Sequence, residues 1–264
     1  MTSFGAHVDA ADPVGKAQAL GVELAQLFLG NPQGWKGPQV AYPGGATALR
    51  QAAEAAGIGL YVHAPYVLNV ASLNNRVRIP SRQQLQKQLT MAAEIGARGL
   101  VVHGGHVADE ADLDRGFDSW RKCIDGLDIA VPLLIENTAG GAGAMARGLD
   151  RIARLWEAVQ SASGAEQVGF CLDTCHAHAS GEELAGLAGR LRQVTGRIDL
   201  VHANDSRDEL GSGADRHADL GTGHCDPDGL VSVIVEADAP VVFETPSAKQ
   251  GRSDDLRWLA ARLP

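Results

Sequence analysis

The sequence predicts an α/β fold, a (β/α)8 or TIM barrel, in which eight parallel strands alternate with helices. Eight short apolar runs recur along the 264 residues, and segments of helical pattern separate them. Each strand–helix unit takes an eighth of the chain, about 33 residues, and single barrels of this kind have about this total length. We therefore expect residues 1–264 to form one barrel domain.

The predicted strands are rich in Val, Ile, Leu and Phe and are too short for helices. In chain order they are SFGAHV, ELAQLFLG, IGLYVHA, GLVVHGG, PLLIEN, VGFCLD, IDLVHAN and PVVFET. Apolar and polar residues do not alternate in them, which is typical of parallel strands that are buried on both faces.

The predicted helices have apolar residues at spacings of three and four. Examples are RQQLQKQLTMAAEIGA, DLDRGFDSWRKCIDGL, LDRIARLWEAVQ, EELAGLAGRLRQV and SDDLRWLAARL. Asp112 and Ser253 are candidate N-cap residues. A doubly wound open sheet is the alternative fold, but it usually has a glycine-rich phosphate loop after its first strand, and GAHVDAADP is not one.

Composition excludes several classes of protein. The formal net charge is −9, so a protein that holds DNA only through a broad basic surface is not expected. The four cysteines form no CxxC pair and do not suggest a disulfide framework. The sequence has no apolar run of membrane-spanning length, and its first residues lack the pattern of a secretory leader. We expect a cytoplasmic protein with reduced thiols and no membrane association.

A histidine or a carboxylate stands at the end of six predicted strands, from the third to the eighth. In that order they are His63, His103, Glu136, Asp173, His202 and Glu244. His176 follows the sixth strand closely, and Asp215 and His217 lie in the long loop after the seventh. Because the carboxyl ends of barrel strands meet at one mouth, we expect these side chains to lie together.

Each of these residues has an ordinary structural explanation when taken alone, as a hydrogen-bonded core histidine or a helix N-cap. Four carboxylates packed together, however, lose stability unless cations compensate their charge. Nitrogen and oxygen ligands without cysteine suit zinc, manganese or iron. Since a catalytic metal takes about three protein ligands, nine candidates indicate three ions, with one carboxylate bridging two of them. Such ions would attract phosphate to an acidic protein.

Six longer motifs resemble the endonuclease IV family of apurinic/apyrimidinic endonucleases. They are LYVHAPYVLNVAS, VVHGGH, LLIENTAGG, VGFCLDTCHAHASG, LVHANDSRDELGSGADRHADLGTGH and VVFETPS, and they occur in the family's order over nearly the whole chain. The resemblance implies a barrel related to xylose isomerase with three Zn²⁺ ions, or Mn²⁺ or Fe²⁺ at some sites. It also implies a monomeric zinc-dependent hydrolase for DNA repair that cleaves double-stranded DNA 5′ to an abasic site. The products would be a 3′-hydroxyl and a 5′-deoxyribose phosphate, and the enzyme would also clear blocked 3′ ends.

The resemblance assigns a role to each of the nine candidate residues. His63 and His103 are similar to ligands of a first metal, and Glu136 to the carboxylate that bridges the first and second. Asp173, His202 and Glu244 complete the second site, and His176, Asp215 and His217 form the third. Glu136 and Glu244 are also the expected catalytic residues.

The resemblance also suggests DNA contacts. Tyr66 matches a family aromatic residue that packs in the minor groove, and the loop with Asn31, Gln33 and Trp35 matches a DNA-penetrating loop. Some relatives have Arg and Gln where this chain has Gln33 and Gly34, which changes the inserting side chains. The basic stretch of Arg76, Arg78, Arg82 and Lys87 is equally compatible with phosphate contacts and with a solvated surface. His7, His106, His178 and His224 are not expected to be ligands, and Cys171 and Cys175 are expected to be packing residues.

Two other functions are compatible with the same fold. A sugar isomerase or epimerase would use one or two metals and has no need of the trio Asp215, Arg216 and His217. A catalytically inactive, metal-stabilised DNA-binding module would be expected to lack some ligands, and none is missing. Fold alone does not separate these functions, whereas the residues of the site do.

Overall fold

A computed structural model describes residues 2–263 and has the predicted barrel. Eight parallel strands form it, and every one lies within its predicted apolar run. Their bounds are β1 Phe4–His7, β2 Leu24–Phe28, β3 Gly59–His63, β4 Leu100–His103, β5 Leu133–Glu136, β6 Val168–Asp173, β7 Leu200–His202 and β10 Val241–Phe243. They close in the order β1-β10-β7-β6-β5-β4-β3-β2. A short antiparallel ribbon, β8 Asp205–Ser206 and β9 His217–Ala218, follows β7.

Helices surround the barrel as predicted. Their bounds are α1 Pro13–Leu20, α2 Gly45–Ala56, α3 Asn75–Glu94, α4 Leu113–Ile124, α5 Gly148–Gln160, α6 Thr174–Ser180, α7 Leu187–Thr195, α8 Pro227–Ala237, α9 Pro246–Lys249 and α10 Asp254–Ala260. Glu110–Asp112 and Ala165–Gln167 form single 3-10 turns. Among residues 2–263, no helix combines the length and the apolar character needed to cross a membrane.

Two details of the helix prediction differ from the structure. The helix predicted over 182–194 begins only at Leu187, because Gly186 has a left-handed backbone with φ of 65°. Asp112 and Ser253 occupy the N-cap positions of α4 and α10, but neither side chain accepts a capping hydrogen bond from a backbone N–H of its helix.

Side chains inside the barrel form two levels. The lower level is an apolar interior cluster of Leu24, Tyr61, Val101, Leu134, Cys171, Leu200 and Val242. Because successive side chains of a strand point to opposite faces, the residue two positions later on each strand also points inward. Those residues form the upper level, next to the mouth, and they are Gln26, His63, His103, Glu136, Asp173, His202 and Glu244. The strand register pairs His103 with Glu136 and Asp173 with His202, which places them at the same height.

Candidate metal centre

Glu136 lies at the centre of the upper level and is fully buried. Its Oε2 is 3.2 Å from Nε2 of His63 and 3.2 Å from Nε2 of His103. Its Oε1 is 2.9 Å from Nδ1 of His202 and 3.5 Å from Nδ1 of His176. The two oxygens of one carboxylate therefore face different histidines, which is the arrangement needed for a bridging ligand.

A second group shares Glu136 and adds three other buried side chains. One donor atom from each of Glu136, Asp173, His202 and Glu244 lies within 4.8 Å of the other three. Glu244 Oε2 is 3.6 Å from His202 Nδ1. Asp173 caps α6 by accepting the His176 backbone N–H at 2.7 Å, so the same carboxylate begins the helix that carries the next group.

The third group comes from α6 and the loop after β7. Nε2 of His176 and Nε2 of His217 each lie 3.1 Å from Asp215 Oδ1. Both Nε2 atoms are buried, yet despite these short distances neither has the geometry of a hydrogen bond with any partner in the described part of the chain. Close packing of backbone holds this loop, since a Cβ on Gly140 would lie 2.2 Å from the carbonyl oxygen of Gly213. A substitution at Gly140 would therefore push the loop that carries Asp215 away.

Four histidines each have one ring nitrogen against a carbonyl oxygen. Nδ1 of His63 is 2.7 Å from Ala64 O, Nδ1 of His176 is 2.9 Å from Asn137 O, and Nδ1 of His217 is 3.5 Å from Glu244 O. In His202 the nitrogen next to a carbonyl oxygen is Nε2 instead of Nδ1, and it lies 2.8 Å from the side-chain amide oxygen Oε1 of Gln26. Carbonyl oxygens only accept, so that nitrogen carries the proton and the other one presents its lone pair to the carboxylates.

This arrangement is what metal-binding histidines need, because their second nitrogen is usually fixed by a hydrogen bond to a carbonyl or a carboxylate. Lone pairs of nitrogen and oxygen that face each other in a buried site repel unless a proton or a cation lies between them. The geometry and the nitrogen and oxygen donors thus fit divalent cations such as Zn²⁺.

In the absence of a cation, protons compensate the carboxylates. Burial alone would raise the pKa of Glu136 and of Glu244, but the surrounding histidines hold both pKa values well below their usual range. Burial opposes charge on His176 and His202, but it is outweighed by the neighbouring carboxylates at His176 and by Cys171, Glu244 and Glu136 at His202, so both pKa values lie well above normal. The pKa of His217 is raised in the same way, by Asp173 and Asp215. Cations and protons therefore compete for the same positions.

Several residues that support the centre were not predicted from the sequence. Asn137 accepts the backbone N–H of Asp173 at 2.7 Å, and Asn204 donates to Asp173 Oδ2 at 2.7 Å and accepts the Glu244 N–H at 2.9 Å. Asn137 and Asn204 both follow predicted strand ends, and this position could have identified them in the sequence as residues of the mouth. Gln26 is fully buried and contacts Glu244. The one sequence feature that could have pointed to it is a single amide within an otherwise apolar strand.

The remaining histidines lie outside the three groups. His7 is buried beneath Glu244, with Nδ1 3.2 Å from Glu244 Oε1, and burial lowers its pKa. His178 Nε2 is 3.1 Å from the backbone oxygen of Asp208. His106 is exposed, as is His224.

Cys171 and Cys175 flank Asp173 and lie against the centre. Each Sγ is within 4.8 Å of donor atoms from two of the predicted ligands. Burial raises the pKa of Cys171 to about 12 and also raises the pKa of Cys175. Both are therefore neutral thiols near pH 7 in the metal-free chain, which is compatible with the predicted packing role.

Aromatic side chains form one side of the mouth. The Tyr66 ring is stacked on His103, with centroids 5.5 Å apart, and meets the edge of His63 at 5.4 Å. Its backbone N–H donates to Pro32 O at 2.8 Å, which connects it to the predicted DNA-penetrating loop. Tyr66 and Trp35 are 47% and 43% exposed, and both line a cavity of about 840 Å³ that reaches His103.

Other predicted DNA contacts lie on the exterior. Asn31 Oδ1 accepts the Gln33 backbone N–H at 2.9 Å, and both side chains are exposed in the loop beside Trp35. In the basic stretch, Arg78 and Arg82 donate to the backbone oxygens of Ser72 and Ser119. These two guanidinium groups are thus already partly engaged within the chain.

Comparison with known proteins identifies the family. The model for the xylose isomerase-like TIM barrel family matches residues 14–262. A protein of Mycobacterium tuberculosis (strain ATCC 25177 / H37Ra), described as probable endonuclease 4, is 54% identical over 259 residues, which cover 98% of each chain. This chain belongs to the endonuclease IV family.

Solved structures agree with this membership. The structure of endonuclease IV from Thermus thermophilus matches this chain with a TM-score of 0.83 and 30% identity, over 98% of both chains. A D-tagatose 3-epimerase-like protein matches with a TM-score of 0.76 and 18% identity, over 98% of this chain and 95% of the other. The second likeness shows a common fold and nothing further.

Proposed function

We propose that this chain is a metal-dependent DNA repair endonuclease. It hydrolyses the phosphodiester 5′ to an abasic site in double-stranded DNA and leaves a 3′-hydroxyl and a 5′-deoxyribose phosphate. It also removes blocking groups from 3′ ends. Membership of the endonuclease IV family and the three groups of donor residues support this proposal.

The nine predicted ligands would hold three divalent ions, Zn²⁺ by preference and Mn²⁺ or Fe²⁺ at some sites. His63, His103 and Glu136 form the first set; Glu136, Asp173, His202 and Glu244 the second; and His176, Asp215 and His217 the third. When bound, such ions lower the pKa of a water molecule and offset the charge that develops on phosphate oxygens.

Glu136 and Glu244, the proposed catalytic residues, would have different tasks. Glu136 divides its two oxygens between two sets of histidines and so fixes the separation of the first and second sites. Glu244 Oε1 accepts a hydrogen bond from Gln26 at 2.6 Å, which leaves Oε2 directed toward the centre. We assign to that oxygen the role of accepting a hydrogen bond from the attacking water and orienting it toward the phosphorus.

Recognition of the abasic site would depend on shape. A nucleotide without a base unstacks at low cost and can enter a pocket that a normal nucleotide does not fit. The cavity beside Tyr66 and Trp35 is next to His103, so a nucleotide turned into it would bring its phosphate to the centre. The exposed rings would fill the space that the missing base leaves in the duplex, with Asn31 and Gln33 contacting the backbone.

The third group of donors carries the proposal. A ketose isomerase or epimerase on this fold needs only one or two ions, whereas His176, Asp215 and His217 offer a complete further set beside the others. In phosphodiester hydrolysis two ions would compensate the charge on the attacking and the leaving oxygen, and a third would compensate the charge that develops on the non-bridging phosphate oxygens.

The decisive test is incision of a duplex that contains one synthetic abasic site. We expect the zinc-loaded protein to cut 5′ to the site and excess chelator to abolish cutting. Asp215→Asn, which removes a donor of the third group, should lower incision. Glu209→Gln is its control and should cut as wild type, because Glu209 is an exposed carboxylate of the same loop. An intact duplex together with epimerisation of a ketose would instead establish the sugar-converting function.

A further inference from the structure

Gln26 is a buried amide at the base of the candidate metal centre. It lies on β2, two residues after Leu24 of the apolar interior cluster, and therefore points inward to the upper level. Its exposure is 0%. A buried amide in an otherwise apolar strand costs stability unless all its hydrogen-bonding groups are satisfied, so its partners are informative.

The partners of Gln26 include two of the proposed ligands. Its Nε2 donates to Glu244 Oε1 at 2.6 Å and lies 3.0 Å from His7 Nδ1. Its Oε1 is 2.8 Å from His202 Nε2. Because a carboxylate accepts only, the amide nitrogen must face Glu244, and the amide oxygen must then face His202.

This orientation determines which nitrogen of His202 is free. The amide oxygen accepts the Nε2 proton, so the lone pair is on Nδ1, which lies 2.9 Å from Glu136 Oε1 and 3.6 Å from Glu244 Oε2. The bond to Glu244 Oε1 simultaneously fixes the rotation of that carboxylate. One amide thus orients two side chains of the second donor set.

The other histidines are supported differently. His63, His176 and His217 place their second nitrogen against main-chain carbonyl oxygens, which no side-chain substitution removes. Of these four histidines, His202 alone takes its support from a side chain.

We propose that Gln26 is a positioning residue of the metal centre, which selects the His202 tautomer and the Glu244 rotamer that the second metal requires. This inference rests on the proposed function, because it assumes that the second donor set holds a cation. Loss of such outer partners typically weakens metal binding about 10- to 100-fold.

Zinc titration of the metal-free protein against a chromophoric chelator tests the proposal without any nuclease assay. Gln26→Met keeps the side-chain length and removes both hydrogen-bonding groups. Gln88→Met is the matched control, because Gln88 is also 0% exposed and neither of its amide atoms has a partner in the described chain. We expect Gln26→Met to weaken one of three sites about 10- to 100-fold and Gln88→Met to stay within about twofold of wild type.

Cobalt provides a second readout, since the visible spectrum of bound Co²⁺ depends on ligand geometry. Gln26→Met should change that spectrum, and Gln88→Met should not. If Gln26→Met does not fold, Gln26→Asn takes its place, because the shorter amide cannot reach both Glu244 and His202 and should weaken the same site.

The outcomes separate the two proposals. If the folded Gln26 variants bind zinc as tightly as wild type and give the same cobalt spectrum, the inference is wrong, while the proposed function is unaffected. If the wild type itself binds no divalent ion and leaves an abasic duplex intact, the proposed function fails, and the inference fails with it.

Discussion

Removal of the proposed metal ions should lower the thermal stability of the protein by an amount that depends on pH. A cation that binds only the folded state at 100 times its dissociation constant contributes about 2.7 kcal/mol per site. For a chain of this size, 1 kcal/mol corresponds to about 2–4 °C in melting temperature. One occupied site should therefore raise the melting temperature by roughly 5–10 °C, and three independent sites by roughly 15–30 °C.

The sign of the pH effect follows from the shifted pKa values of the metal-free protein. The raised pKa values of His176, His202 and His217 contribute stability below the unfolded value of 6.5, and this is lost as pH rises through the folded values. The depressed pKa values of Glu136 and Glu244 contribute stability above the unfolded value of 4.5, and this is lost as pH falls through the folded values. The metal-free protein should therefore be most stable between about pH 4.5 and 6.5.

Metal binding should have the opposite dependence. Zinc must displace the protons on these histidines, so its apparent affinity rises with pH until they are deprotonated. The difference in melting temperature between zinc-loaded and metal-free protein should thus grow from pH 5 to pH 8.5. Repulsion within a chain of net charge −9 also grows with pH, but it acts on both forms and largely cancels in the difference.

Differential scanning fluorimetry measures this directly, with saturating zinc or excess chelator in matched buffers across that range. Glu209→Gln should behave as wild type, because its carboxylate lies outside the three groups. A metal-free melting temperature that does not fall between pH 6.5 and 8.5 would refute the assignment of raised histidine pKa values. A zinc effect of equal size at pH 5 and pH 8.5 would refute the competition between protons and metal.

Three further substitutions test separate parts of the proposal. Asp215→Asn should reduce the bound metal from three ions to two and lower incision at least about 100-fold with the fold intact, since 51% of its side chain is exposed; three ions by elemental analysis would contradict this. Tyr66→Ala should weaken binding to an abasic duplex by roughly 5- to 150-fold, the loss of about 1–3 kcal/mol of stacking, and an unchanged affinity in fluorescence anisotropy would exclude a role in recognition. His63→Ala should abolish incision and leave the circular dichroism of the barrel unaltered, and full activity on the abasic duplex would remove it from the centre.

The sequence predicted the barrel because the physical signals for it are local. Strands buried on both faces are continuous apolar runs, and each of the eight lies where such a run occurs. The level of the upper side chains is also a local property, since Glu136 follows Leu134 by two residues and His202 follows Leu200 by two. A residue type and its position on a strand were thus sufficient to place these side chains at the mouth.

The supporting residues could not be predicted in the same way, because their role depends on the closure of the barrel. Gln26, His202 and Glu244 come from β2, β7 and the residue after β10, and nothing in β2 alone indicates that its one amide meets the other two. The late start of α7 at Leu187 was not predicted either. Gly186 has a left-handed backbone, and the apolar spacing that predicted the helix does not reveal the backbone conformation of a glycine.

The chain and its proposed substrate, DNA, are both negatively charged, and the proposed metal ions would offset this repulsion at the mouth of the barrel. DNA is a polyanion, the chain carries a net charge of −9, and two arginines of the basic stretch already donate to backbone oxygens. Three divalent cations would outweigh the four carboxylates around them and make the mouth locally positive. The attraction for phosphate would then be concentrated where the reaction occurs and weak elsewhere on the surface. An acidic protein with such a centre would therefore discriminate between a phosphate that enters the mouth and the many phosphates of undamaged DNA that do not.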